Sequence, residues 1–346
     1  MVRRKRRSRK RRGPGAAGTL LALFLVLVCV AGAAAWLVFV PFGPETETFV
    51  DLAPGSSTVR IAGQLESAGV VRSQFAFDLV RWWKRGTLRA GEYRFDHPAA
   101  VTEVYARIAR GDVYTKTLIV PEGASIFEIA ARVEQAGLGS QQDFLDAQAE
   151  QAGLVADIDP GAKSLEGYLF PDTYRFPRKV TPAQICAAMV RRFRLAATQL
   201  GLKENVHAVV TMASLVERET AVDAERPLVA SVFQNRLARK MPLMTDPSVI
   251  YGLELEGQWR GALYQGDLKR DTPYNTYLHA GLPPGPVANP GLHSLRAAMR
   301  PAGSDYLYFV AAGANPQGRS LFSSTLDEHN RNVAGYRHAM KKAGGR

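Results

Sequence analysis

The residues whose types and spacing suit chemistry are carboxylates near the end of one helix. The segment Ser214-Leu215-Val216-Glu217-Arg218-Glu219-Thr220 closes a stretch, residues 204–221, that carries Val206, Val209, Val210 and Ala213 on one face, with Met212 and Leu215 elsewhere around it. A helix apolar on most sides belongs in a core. A carboxylate there loses water, which raises its pKa and lets it stay protonated as a general acid. Residues two apart differ by about 200° around a helix. Glu217 and Glu219 therefore cannot both enter one cleft, and they are not an acid–nucleophile pair. A structural reading competes, because glutamates near helix ends usually pair with Arg or face solvent, and Arg218 is adjacent. Glu217 aligns with Val206, Val210 and Ala213, so it is expected to face the core and pair with a cation such as Arg236.

Other catalytic devices are missing from the sequence. The six histidines, at 97, 207, 279, 293, 329 and 338, show no zinc-protease spacing and have no cysteine partners. There is no Gly-rich phosphate loop ending in Lys-Ser or Lys-Thr, and no Gly-x-Ser-x-Gly elbow. No metal and no cofactor are expected. Cys29 and Cys186 fall in different phases, the span and the outer part, so no intrachain disulfide is expected.

The catalytic stretch must be held by the elements around it. Upstream, residues 48–52 read as a strand, 54–56 as a turn and 59–68 as an amphipathic helix stopped by Gly69. The design returns 68 residues later, with a strand at 118–120, a turn at Glu122-Gly123, a helix over 126–136 and a stop at Gly137. Seven of fifteen positions are identical between residues 55–69 and 123–137, which points to a repeated unit. Between the copies lie a strand at 90–95 and a helix at 102–109. From about residue 165 the texture changes to long helices, 182–200 and 204–221, followed by Pro- and Gly-rich loops.

The charge is concentrated at one end. Of the net +12, nine cations lie between Arg3 and Arg12, and no acidic residue precedes Glu45, so everything else carries +3. The basic balance belongs to a tail, and nucleic acid is not an expected partner. Residues 19–40 carry no charged side chain. As a helix they reach about 33 Å, enough for a hydrocarbon core of about 30 Å. Ala33-Ala34-Ala35 resembles a signal-peptide cleavage site, but the run is longer than a signal core and continues through Trp36 to Val40. A retained anchor is expected. Val28 stands where a lipoprotein reading of Cys29 would need a small residue. The positive-inside rule puts Met1 in the cytoplasm and the chain after Pro41 outside. Residues 41–47 read as a short linker.

Residues 213–220 resemble the catalytic segment of the endolytic murein transglycosylases, also called the YceG-like family. The likeness continues through 231–237, 243–252, 274–277, 281–286 and 306–310, and upstream through 90–95 and 165–174, so it covers essentially everything after the anchor. The resemblance implies an α+β protein with a single N-terminal transmembrane helix, small α/β subdomains that include a LysM-like unit, and a mixed, mainly helical lytic-transglycosylase domain. The expected divisions are a basic cytoplasmic tail (1–18), the span (19–41), an N-terminal α/β subdomain (45–115), the LysM-like unit (116–160) and the catalytic domain (165–340).

The resemblance further implies location at the bacterial inner (cytoplasmic) membrane with the catalytic domain on the periplasmic side. The partners it implies are peptidoglycan glycan strands, the membrane and peptidoglycan synthases. The implied reaction cleaves the bond between N-acetylmuramic acid and N-acetylglucosamine, leaves a 1,6-anhydro end and terminates nascent strands. The catalytic role carries over to Glu219. Substrate contacts carry over to Glu166, Tyr168, Tyr174, Asn235, Thr245, Asp246, Tyr274, Asn275 and Ser323. One departure stands out. Family members often carry His before the Phe-Ser or Phe-Asn step near the C-terminus, where Ser320-Leu321-Phe322-Ser323 has Ser320.

The chemistry agrees. Most glycosidases need two carboxylates about the bond. A lytic enzyme needs fewer, because the muramic 6-hydroxyl replaces water and one glutamic acid can give a proton and then take one. Two rivals remain open at this point: a membrane-tethered, non-catalytic glycan-binding scaffold, and a hydrolytic muramidase. The topology is directly testable. A reporter active only outside the membrane should work when fused after Arg346 and fail at Met1, and charge reversal across residues 3–12 should impair or invert insertion.

Overall fold

The computed structural model describes residues 16–313 and 318–344, so most of the basic tail, residues 1–15, lies outside the described residues. The chain divides into two compact units, Met1–Thr115 and Lys116–Arg346. Helices dominate, with three two-stranded antiparallel sheets among the described residues.

The first unit begins with helix α1, Ala16–Phe39, of which Ala17–Phe39 is long and apolar enough to cross a membrane. Strand β1 (Thr48–Leu52), helices α2 (Thr58–Ser67) and α3 (Gln74–Lys84), strand β2 (Gly91–Phe95) and helix α4 (Val101–Arg110) follow. β1 and β2 pair with Thr48 opposite Phe95. Their inward residues Val50, Leu52, Tyr93 and Phe95 join Leu65, Phe77 and Ile108 in one core. The short linker expected at residues 41–47 is pinned at Phe42. Phe42 exchanges both backbone hydrogen bonds with Ala99 at 3.1 Å, and Val38 is buried in the same core.

The second unit opens on the same design. Strand β3 (Lys116–Val120), helices α5 (Ile126–Gln135) and α6 (Gln141–Glu150), and strand β4 (Asp172–Phe176) form a second strand–helix–helix–strand unit, with β3 antiparallel to β4. Its closing strand lies beyond the border expected at residue 160. Ser125 caps α5 in a reciprocal box with Glu128, which satisfies two N-terminal donors. Helices α7 (Pro182–Leu200), α8 (Val206–Glu219), α9 (Arg226–Ala238), α10 (Asp246–Leu255) and α11 (Leu292–Met299) come next. Strands β5 (Tyr308–Ala311) and β6 (Ser320–Ser323) and helix α12 (Leu326–Gly344) end the described chain.

Helix α8 is the axis of this unit. Val206, Val210 and Ala213 pack into a core shared with α5 and α7, while Met212, Leu215 and Val216 pack into another with Val229, Phe233 and Leu243. The Ser214 hydroxyl donates to Thr211 O at 2.8 Å and accepts from Val287 N at 3.0 Å, tying α8 to the proline-rich loop. That loop also meets the 165–168 turn, where Gly167 sits at φ +86° and a Cβ would lie 2.5 Å from Pro286 Cγ. Only glycine fits both demands. Gly167→Ala is expected to cost about 1–3 kcal/mol, seen as a lowered Tm in thermal unfolding.

Candidate active site

The first question is which glutamate of α8 is free to react. Glu217 is fully engaged. Its carboxylate accepts from Arg226 Nη1 at 2.6 Å and from Gly291 N at 2.8 Å. Arg226 also donates to Ser294 Oγ at 2.8 Å and, through Nε, to Asp223 Oδ1 at 2.9 Å. Both members of the pair are buried. Glu217 thus faces inward as its helical phase requires, but its partner is Arg226 and not the expected Arg236. Arg226 opens α9, while Arg236 lies almost three turns further along α9 and lines the cleft that Glu219 enters.

Glu219 is the last residue of α8 and turns the opposite way, into an open cleft of about 500 Å³. Phe233 and Arg236 of α9, Met244 and Asp246 before and at the start of α10, Tyr277, Tyr308 of β5, and His329 and Asn330 of α12 line the same cleft. Among the described residues none hydrogen-bonds the Glu219 carboxylate. Burial, and then the Asp246 carboxylate, push Glu219 up to about 7, against the opposing pull of Arg236. The group can therefore hold or release a proton near neutrality.

The residues that line the cleft also brace its walls. Arg236 donates to Leu307 O and Leu243 O, both at 2.7 Å, and lies over the Tyr308 ring. Tyr277 donates its hydroxyl to Asp246 Oδ1 at 2.6 Å. Met244 sits in the left-handed region at φ +51°, with its N–H on Thr276 O. A strained, exposed residue at a cleft is a mark of function worth following. The His329 ring stacks on Tyr308, and burial and Arg236 push its pKa below the usual value, which favours the neutral ring. Its Nδ1 is buried without a partner among the described residues.

Of the ten site residues expected from sequence, Glu219 and Asp246 line this cleft and eight do not. The polar groups of seven of those eight are engaged within the protein, while the eighth, Tyr274, sets its ring edge-on against Tyr251. Asn275 donates to Leu268 O and Arg270 O and accepts from Tyr277 N, so it positions Tyr277. Asn235 donates to Ser304 O and Tyr306 O and holds the approach to β5. Thr245 takes its place through Thr276, its N–H donating to Oγ1 at 3.0 Å. Ser323 is buried and accepts from Asn332 Nδ2. Tyr174 donates to Phe170 O on the β3–β4 unit.

Glu166, Tyr168 and Tyr274 border a second, smaller cavity of about 170 Å³. There Tyr168 donates to Asp159 at 2.6 Å. Glu166, raised to about 8 by burial, accepts from Ile126 N and Asn289 Nδ2. Sequence reasoning missed Arg236, Tyr277, Tyr308 and His329 as cleft residues. The Tyr274–Tyr277 string contained one of them, but nothing local says which aromatic turns toward Glu219.

The YceG-like family model matches residues 50–335. A Bacillus subtilis (strain 168) protein named endolytic murein transglycosylase is 34% identical over 308 residues, covering 83% of this chain and 84% of that protein. A protein of the same name from Streptococcus pneumoniae R6 is 32% identical over 319 residues, and the match spans 57% of its length. The 2.6 Å crystal structure of a yceG-like protein from Listeria monocytogenes superposes with a TM-score of 0.54 at 33% identity, covering 83% of this chain and 99% of that one.

The Glu217–Arg226 pair has a distinct signature. Glu217→Gln removes the buried counter-charge of Arg226 and leaves it only the more exposed Asp223 and Glu122, at a cost of up to about 3–5 kcal/mol. A clearly lowered Tm is expected, with the Glu217→Met/Arg226→Met double variant recovering part of the loss.

Proposed function

Because this chain belongs to the YceG-like family, we propose that it is an endolytic murein transglycosylase that uses Glu219 as its one proton carrier. It is a lyase acting on peptidoglycan. The observation that carries the assignment is the state of that carboxylate: facing the cleft, free of donors among the described residues and raised to about 7. Protonated Glu219 gives its proton to the glycosidic oxygen as the bond to the muramic C1 breaks. The resulting carboxylate then takes the proton of the muramic 6-hydroxyl as O6 closes on C1. No water is consumed, the proton is returned, and the product is a 1,6-anhydro end.

Asp246 and Tyr277 would hold the sugar beside Glu219, with Tyr308 and His329 offering an aromatic wall and a neutral ring nitrogen. Asn235, Thr245, Asn275 and Ser323 act as positioning residues behind that surface. The β3–α5–α6–β4 unit would serve as the LysM-like glycan contact, with α1 anchoring the chain in the inner membrane, the N-terminus cytoplasmic and synthases as neighbours. Asp246 shares the cleft, which is what a hydrolytic muramidase would require. Product masses separate the two, since an anhydro end is lighter by one water.

Glu219→Gln is expected to lower strand cleavage by at least about 10²–10⁴-fold, measured as soluble product from purified peptidoglycan. The pH profile of the wild-type protein should fall as pH rises through about 7, where the acid form is lost. Stability should move the other way in the variant. The unfolded carboxyl ionises at its ordinary 4.5 while the folded one holds its proton to about 7, so the wild type loses stability between those values. The loss is complete above about pH 7 and on the order of 3 kcal/mol. Glu219→Gln should therefore raise Tm above pH 7 but not below the ordinary carboxylate range. Unchanged cleavage by Glu219→Gln would refute the assignment.

A further inference from the structure

Helix α3 carries two apolar stripes where a surface helix normally has one. Ala76, Phe77 and Val80 are buried in the core of the first unit. Phe75, Leu79, Trp82 and Trp83 form a second stripe and are exposed, at 75, 45, 69 and 59%. On a helical wheel these four fall within about 100° of one another, beside the buried face. Single exposed apolar residues are ordinary, but a contiguous run with two tryptophans marks an interaction surface.

The repeat supplies an internal control. In the second copy the corresponding helix is α6, where Phe144 is buried as Phe77 is. Counting from those two phenylalanines, Phe75, Leu79, Trp82 and Trp83 correspond to Gln142, Asp146, Ala149 and Glu150, all exposed. Three of the four corresponding positions are polar there and the fourth is a small alanine. The open apolar stripe thus belongs to the copy attached to α1 and is no requirement of the strand–helix–helix–strand unit.

What covers the stripe follows from where α1 ends. Residues Ala34, Ala35, Val38 and Phe39 of α1 line one apolar groove, of about 290 Å³, together with Leu79, Trp82 and Trp83. α1 does not swing freely. Val38 is in the core, Arg72 lies 4.1 Å from the Trp36 ring centroid and donates to Pro41 O, and Phe42 bridges Ala99. At 1.5 Å per residue α1 is about 36 Å long, so its last turns reach the outer boundary of a hydrocarbon core of about 30 Å. That is the level at which tryptophans settle. Lys84 ends the same helix with its Nζ 4.8 Å from the Trp83 ring, and Arg85 caps it. Cations beside an apolar stripe match anionic lipid headgroups.

We propose that α3 is an interfacial helix that inserts Phe75, Leu79, Trp82 and Trp83 into the outer leaflet beside α1 and docks the first unit onto the bilayer. The proposal rests on the reading of α1 as a membrane span. The test uses the full chain in phosphatidylcholine–phosphatidylglycerol vesicles whose acyl chains carry bromine close to the headgroup. The chain has four tryptophans, so Trp36→Phe/Trp259→Phe reports on Trp82 and Trp83 alone, and a second variant keeps only Trp36. Emission from Trp82 and Trp83 should be blue-shifted and quenched roughly twofold or more, as for side chains buried about 5–10 Å into the interface. Quenching of Trp36 with no effect on Trp82 and Trp83 overturns the docking and leaves the span standing. Quenching of neither overturns the span reading and the docking with it. A blue-shifted but unquenched signal means that protein covers the stripe, and it too overturns the proposal.

Discussion

The buried pair between Glu217 and Arg226 holds three helices at one point. Two charges withdrawn from water are costly, and the cost is offset only when their hydrogen bonds are met. Here they are. Glu217 takes one bond from Arg226 and one from Gly291 at the start of α11, and Arg226 adds Ser294 on α11 and Asp223 before α9. The end of α8 therefore cannot rotate without exposing or orphaning a charge. Two residues on, and about 200° around the helix, Glu219 is set into the cleft. One glutamate is fixed so that the other can remain free.

The electrostatics of the cleft follow from that placement. Desolvation and the Asp246 carboxylate favour the neutral acid, and Arg236 limits the rise. A sole proton carrier needs both forms within reach, and an environment balanced near neutrality provides them. The polar contacts that expectation assigned to the sugar largely serve a prior task. Asn275 fixes the backbone of Tyr277, and Tyr277 in turn binds Asp246. Asn235 secures the chain that leads into the β5 wall. The surface next to Glu219 is thus two layers deep, with aromatic and charged groups in front and amides behind.

Much of the fold is legible in local sequence because local rules decide it. β1 and α7 begin and end where alternation, capping and punctuation put them, and α7 shows Thr181 and Gln184 in a capping box with Pro182. The repeat is legible because the same turn and cap chemistry recurs 68 residues on, and both copies fold as strand–helix–helix–strand. The split between Glu217 and Glu219 is also legible, since 3.6 residues per turn allows no other outcome on a regular helix.

The sequence by itself therefore determined several of the elements, the apolar N-terminal helix, the repeated strand-and-helix unit, the family and the opposite facing of two glutamates on one helix. Tertiary structure alone decided that Glu217 pairs with Arg226, that Arg236 braces the cleft, and that Tyr308 and His329 come to stand opposite Glu219 from the last elements of the described chain. It also decided that Phe42, within residues 41–47, pairs with Ala99. The physical reason is range. Periodicity and capping act within a turn or two, whereas the partner of a buried charge and the wall of a cleft depend on which distant segments the closing cores bring together.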